Sequence, residues 1–177
     1  VDKSSASAQD TLERLAHLAQ ILSDGVALKR RIIEDLTPSA LSNLGLVPAL
    51  ENLTRDHAGN TGMAVVTRLE PVQLGKDKAL TVYRLVQEAL TNCSKYARAS
   101  RITVDLWAEG DTAHVRVCDD GCGFDTSQLA TGSHGLAGIQ YRVETQHGSI
   151  QVESSPGNGT TISAQLPQDP APEGGVT

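Results

Sequence analysis

An acid, an amide and two bases recur at helical spacing in the stretch LTVYRLVQEALTNCSKYA, residues 80–97. Wound as an α-helix, Arg84, Glu88, Asn92 and Lys95 fall on one stripe. Glu88 and Asn92 stand one turn apart, so their oxygens could share a hydrated cation, and Lys95 would reach an anion held by that cation. Taken alone, the stripe reads better as a solvated face with i,i+4 pairing. The next motifs shift that balance. Asp119-Asp120-Gly121-Cys122-Gly123 follows directly on an alternating segment, and Gly135-Leu136-Ala137-Gly138 opens an apolar-periodic one. Asp119, as a carboxylate, offers only acceptors and suits the exocyclic amine of a base. Glycines let backbone amides approach a ligand closely, and a helix start attracts anions. Each piece is weak alone; their order and spacing together are specific.

The elements that must position these residues can be read in order. On the helix of residues 76–97, Val82, Leu85, Val86, Ala89 and Cys93 form an apolar stripe that must be buried, while Gln87, Thr91 and Ser94 suit water. Upstream, Ala8, Leu12, Leu15, Ala19, Leu22, Val26, Ile33 and Leu36 make a heptad seam that needs a partner helix. That helix should end before Pro38. A link over 39–45 leads to a second helix with Pro48 near its first turn, ending at Gly59-Asn60. Residues 63–69 read as a strand. Residues 101–107 and 114–118 alternate as half-buried strands around a Gly110-Asp111 turn. A short lid over 125–134 precedes a helix over 135–146. Strands over 149–154 and 160–166 flank a Pro156-Gly157-Asn158-Gly159 turn. Beyond Pro167 no residue can build a core, so the tail is expected to be disordered.

At 177 residues, 39% hydrophobic and 20% charged, the chain suits one domain with an appendage. A net charge of −6 without a basic block excludes a nucleic-acid partner. No run approaches the ~18 apolar residues of a membrane span, so no direct membrane contact is expected. The abrupt start reads as a cut through a longer protein. Cys93, Cys118 and Cys122 cannot form a disulfide framework and fit a reducing cytoplasm. Cys118 and Cys122 with His114 lack metal-knuckle spacing, and Cys118 reads as the end of a buried strand.

With these motifs assembled, the chain resembles the histidine-kinase/gyrase/Hsp90/MutL superfamily over residues 46–167. Glu88–Asn92–Lys95 resembles its N-box. Asp119-x-Gly121-x-Gly123 and Gly135-Leu136-x-Gly138 resemble its glycine boxes, and Gly157-x-Gly159-Thr160 the last one. Asp35-Leu36-x-Pro38 with Leu44-Gly45-Leu46-x-x-Ala49-Leu50, together with Arg142, is similar to sensor histidine kinases of the nitrate-sensor type. The resemblance implies a two-layer α/β (α+β) sandwich of Bergerat type. Its mixed, mostly antiparallel sheet would be covered by helices and preceded by a long N-terminal helix. It implies ATP and Mg²⁺ as ligands. Asp119 would accept from the adenine amine and Thr160 would join those hydrogen bonds. Gly121 and Gly123 would shape the adenine side, and Gly135, Leu136 and Gly138 the phosphate side. Asn92, with Glu88, would hold the metal, and Glu88 and Lys95 would be the catalytic pair.

On the same resemblance, residues 1–37 are the second helix of a dimerisation and phosphotransfer hairpin whose first helix is absent. Residues 38–45 are a linker, 46–167 the ATP-binding domain, and 168–177 a tail. The implied partners are the absent helix, a second copy in a homodimer, and a response regulator. His17 is the only histidine on the first helix, is followed by Leu18 rather than an acid, and is expected at the surface instead of accepting phosphoryl. Tyr96 stands where the subclass usually has histidine, and Ser133-His134 leave the second glycine box incomplete on its first side. An anti-sigma-type serine kinase and a nucleotide-independent interaction module are the alternative readings.

Overall fold

The computed structural model describes residues 38–126 and 134–170. The helix expected over the heptad seam with His17, residues 127–133 of the expected lid and residues 171–177 of the expected tail lie outside the described residues. Five strands form one mixed sheet in the order β1-β2-β3-β5-β4. β1 (Ala64–Leu69) runs parallel to β2 (Arg101–Glu109). β3 (Thr112–Asp119), β5 (Thr160–Pro167) and β4 (Ser149–Ser154) continue it with antiparallel pairings. The β2–β3 hairpin closes at Gly110-Asp111, with Glu109 paired to Thr112. Gly110 takes φ 56°, a left-handed conformation that glycine adopts without steric cost.

The helices are α1 (Ser39–Leu44), α2 (Leu46–Thr61), α3 (Lys76–Asn92) and α4 (His134–Thr145). Residues 39–44, expected as a link, thus form a short helix. α2 runs past Gly59-Asn60 because nothing obliges those residues to leave the helix. It stops at Gly62, which takes φ 71° and donates its N–H to Ala58 O at 2.9 Å. Alternation in the strands gives one buried row, Ile102, Val104 and Leu106 on β2, Val115 and Val117 on β3, Ile162, Ala164 and Leu166 on β5. These pack in one core with Val82, Leu85, Val86, Ala89 and Cys93, the stripe expected from α3. Tyr83 and Leu90 broaden that stripe. Cys118, expected at a buried strand end, is instead exposed, because the pleat turns every second residue of β3 to the other face.

The segment after the last strand departs from expectation too. Gln168 accepts from Gln73 N at 2.7 Å through its side-chain oxygen and donates its own N–H to Asp111 O at 2.7 Å. The Asp169 carboxylate accepts from Gly75 N and from Lys78 Nζ, at the start of α3. A negative charge there also complements the helix dipole. Composition missed this anchoring because it needs only polar side chains meeting unpaired backbone groups.

Leu85 is 1% exposed at the centre of this packing. Replacing it with alanine should cost about 2–5 kcal/mol, read from urea unfolding. A loss below about 1 kcal/mol would take Leu85 out of the core.

Candidate functional site

The packing that buries one stripe of α3 leaves its neighbour at the edge of the helical layer. Arg84, Glu88 and Asn92 are accordingly half-buried. Asn92 Nδ2 donates to Glu88 Oε1 at 3.1 Å, so acid and amide hold each other one turn apart. After Asn92 the chain continues as a π-helical turn, Cys93–Ala97, which ends at Arg98 with φ 50°. Its i→i+5 spacing advances each residue less around the axis than an α-turn does. The residue four beyond Asn92, Tyr96, therefore lines the cavity, while Lys95 is exposed outside its lining.

That cavity, about 370 Å³, opens between α3, the sheet and the first turn of α4. Its walls are apolar: Ala89, Ile102, Val117, Phe124, Leu136 and Ile162 contribute. Asn92, Asp119, Gly123 and Thr160 complete it from the expected set. Asp119 ends β3 on the inward-facing row. Its Oδ1 accepts from Gly121 N at 2.9 Å. Burial pushes the Asp119 carboxyl above its usual range, partly offset by hydrogen bonds from the backbone of Gly121 and Thr160, with Asp120 adding repulsion. A carboxylate raised mainly by desolvation is characteristic of a site and of an incompletely compensated burial.

Close contact demands glycine at four positions around the cavity: Gly121 against Ala97, Gly159 against Asp119, and Gly123 and Gly135. Gly123 takes φ 57°, and a Cβ there would lie 2.1 Å from Ser155 O. Gly135, in the first turn of α4, passes so close to Glu88 that a Cβ would lie 2.0 Å from its Oε1. Any side chain at 135 would displace the Glu88 carboxylate from beside Asn92. Gly135 and Leu136 thus bring the unpaired N–H groups of a helix start against the acid–amide pair. Gly138 has open space around it and is exposed on α4, outside the cavity wall.

Three supporting residues, Ser154, Asp120 and Tyr96, were not among the expected site residues. Ser154 Oγ accepts from Phe124 N at 2.9 Å, donates to Gly159 O at 2.8 Å and meets Thr160 Oγ1 at 3.1 Å, tying both glycine turns together. Asp120 accepts from Ser100 N, Ser100 Oγ and Arg101 N at 2.8, 2.6 and 2.9 Å, which holds its carboxyl down at about 2. Tyr96 depends on the π-turn, which nothing in local periodicity announces.

Comparison with known proteins places this geometry. Residues 77–170 match the model of the histidine kinase-, DNA gyrase B- and HSP90-like ATPases. A signal transduction histidine-protein kinase/phosphatase, DegS of Brevibacillus brevis, is 33% identical over 164 residues, covering 89% of this chain and 42% of that protein. The sensor histidine kinase MctS of Rhizobium johnstonii is 32% identical over 156 residues, covering 84% of this chain and 33% of that protein. The chain thus spans less than half the length of these curated relatives. In fold, it is similar to the histidine kinase domain of the Erythrobacter litoralis blue-light activated kinase EL346. That match has a TM-score of 0.59 and 23% identity, covering 67% of this chain and 58% of that one. Acinetobacter baumannii AdeS gives a TM-score of 0.59 and 17% identity, covering 86% and 85%. Because the family match takes in α3, the glycine turns and the strands that wall the cavity, and extends over more than half of the chain, this protein belongs to the histidine kinase-, DNA gyrase B- and HSP90-like ATPase family.

Proposed function

We propose that this chain is the ATP-binding catalytic part of a two-component sensor histidine kinase. It would deliver the γ-phosphoryl group of ATP to a histidine on a dimerisation helix outside this sequence, for relay to a response regulator. The carrying observation is one desolvated carboxylate, Asp119, in the wall of an otherwise apolar cavity that also takes in Asn92. Flat apolar walls with one fixed acceptor suit a heteroaromatic base bearing an amine. Asp119 accepts from that amine, with Thr160 beside it, and Gly121 and Gly123 shape the turn around the base. Gly135 and Leu136 offer first-turn amides to phosphate oxygens. Gly138, exposed farther along α4, has no contact among the described residues that gives it a part on the phosphate side. Lys95 reaches the phosphates only by its flexible stem.

The donor set also fits a divalent cation bound jointly with phosphates. Among the described residues no group of three or more acidic, histidine or cysteine side chains gathers. Glu88 and Asn92 therefore supply at most part of an oxygen shell, the arrangement Mg²⁺ accepts when phosphates and water provide the rest. Bound there, Mg²⁺ would neutralise phosphate charge. Glu88 orients Asn92 and is placed to take a proton from an attacking group. Such a transfer demands mainly positioning and charge neutralisation.

The finer readings rest on sequence. Residues 35–50 support the nitrate-sensor-type subclass, and the heptad seam over residues 8–36 supports a homodimer in the full protein. A cytoplasmic site is proposed from the free cysteines and the domain's dependence on ATP. Among the described residues no helix is long and apolar enough to cross a membrane. No observation favours the serine-kinase or nucleotide-independent alternatives.

Asp119→Asn separates binding from stability. Because burial raises the folded-state pKa, the favourable protonated form is complete below the unfolded value of about 3.9, and stability is lost as pH rises through the raised folded value. The amide avoids that cost and keeps an acceptor for Gly121 N. The variant should therefore unfold at neutral pH at a urea concentration no lower than wild type. Meanwhile its ATP affinity should drop about 10-fold or more, since a donor would face a donor, a mismatch of about 1–3 kcal/mol. Wild-type ATP affinity in the folded variant would remove Asp119 from the base site.

Asn92→Ala should weaken ATP binding in Mg²⁺ more than in chelator. Equal losses in both would show that Asn92 is not a metal ligand.

Incubated with γ-labelled ATP and Mg²⁺, the chain should bind nucleotide yet gain no acid-labile, base-stable label. His114 lies on the sheet face opposite the core, stacked on Trp107, and His57 bonds Ser94 through Nε2 at 3.1 Å. Stoichiometric label lost on His17→Gln would overturn the assignment of residues 1–37. Label transferred to a separately supplied histidine-bearing hairpin would support the proposed reaction.

A further inference from the structure

The inward face of the sheet ends in a polar row beside the cavity. The register sets Asp119 of β3 opposite Thr160 of β5, and Thr160 opposite Ser154 of β4. Directly opposed residues share a face, with Cβ atoms about 4.5–5.5 Å apart. Asp119 and Thr160 line the cavity, whereas Ser154 stands one strand farther, outside the lining. The Ser154 hydroxyl is saturated, because a hydroxyl has one proton and two lone pairs. Its proton goes to Gly159 O at 2.8 Å, since a carbonyl only accepts. One lone pair takes the Phe124 N–H at 2.9 Å, since an amide nitrogen only donates. The second lone pair is what remains for Thr160 Oγ1, 3.1 Å away, so in this network Thr160 is the donor. With its proton turned toward Ser154, the Thr160 hydroxyl presents only lone pairs to the cavity.

We propose that Ser154 is a positioning residue for base selection: by taking the Thr160 proton it makes Thr160 an acceptor, so that the cavity favours a purine with a 6-amine over a 6-oxopurine. The inference rests on the reading of Asp119 as the base site. Asp119 by itself is one acceptor. A hydroxyl free to rotate beside it could donate to an oxo group and offset the mismatch. Held by Ser154, that hydroxyl instead adds a second acceptor. An amine carries two protons, one for each acceptor, met directly or through a water. An oxo oxygen in the same place would face lone pairs from both side chains. Selection of this kind is strong, because the wrong base leaves buried polar groups unpaired. The bonds of Ser154 act on the cavity at a second point, since Phe124, whose N–H it accepts, is part of the wall.

The test compares ATP with inosine triphosphate, a 6-oxopurine nucleotide that otherwise differs only by a proton on N1. Both affinities are measured calorimetrically on the full chain with Mg²⁺. Ser154→Ala frees the Thr160 proton to turn into the cavity, so the preference for ATP should fall about 10-fold. A merely structural loss would weaken both nucleotides alike and leave the preference as it was. In a Thr160→Val background, where no hydroxyl is left to direct, Ser154→Ala should change the preference no further. Thr160→Val alone keeps the Ser154 bonds to Phe124 and Gly159, should lower the preference severalfold, and decides the matter if Ser154→Ala does not fold. An unchanged preference in Ser154→Ala or in Thr160→Val, with ATP binding still dependent on Asp119, would overturn this inference alone. A wild-type chain without Asp119-dependent ATP binding would overturn the base site and this inference with it.

Discussion

The rotation of α3 about its own axis is the constraint on which the rest of this structure depends. That helix has one stripe apolar enough to bury, and the sheet has one face built to receive it. Once Val82, Leu85, Val86 and Ala89 enter the core, Glu88 and Asn92 have no freedom left. They must stand at the boundary between packed helix and open cavity. A rotation by one residue would expose part of the core and bury a carboxylate without a partner, either costing several kcal/mol. Packing energy, not any contact the two polar residues make, therefore orients them.

The other half of the site is set by a cost that the fold tolerates. Asp119 lies on the inward row of β3, where a carboxylate loses hydration and recovers only the backbone donors of Gly121 and Thr160. An aliphatic side chain there would be more favourable for folding alone. Unfavourable burial with an acceptor facing a cavity is what a recognition site requires, because a matching donor can then repay the desolvation. The glycines serve the same end. Gly123 allows the first turn to lie against Ser155, and Gly135 lets α4 begin beside Glu88, so elements far apart in sequence meet around one cavity.

The two faces of the sheet are under different constraints. Inward residues of β2, β3 and β5 form both the core and the cavity floor, so substitutions there would alter stability and the site together. Outward residues are free of that coupling, and there the chain has placed its only tryptophan, Trp107, and the row Arg68, Asp105 and Arg116. The last described residues join the layers differently. Gln168 and Asp169 tie the β2–β3 turn to the approach and first turn of α3. The helix that carries the site is therefore held at its start by the end of the domain as well as along its length by packing.

Much of this was legible in the sequence, for reasons that are local. The buried stripe of α3, the alternation on β2 and β3 and the turn at Gly110-Asp111 all follow from periodicities of the backbone itself. Glu88 and Asn92 could be placed one turn apart by counting along their helix, and Asp119 at a strand end. Which face of β3 turns inward was read wrongly at Cys118 and was decided by the packing. What counting could not provide was any departure from the regular repeat or any contact between distant segments. The π-turn after Asn92 exchanges Lys95 for Tyr96 at the cavity. The approach of Gly135 to Glu88, the Ser154 hub between glycine turns and the anchoring of Asp169 on Lys78 join residues tens of positions apart. The strand order β1-β2-β3-β5-β4 and the burial of Asp105 between two arginines belong with them. A helix or strand advertises its period in every residue, whereas a tertiary contact is marked only where the chain, once folded, brings both partners together.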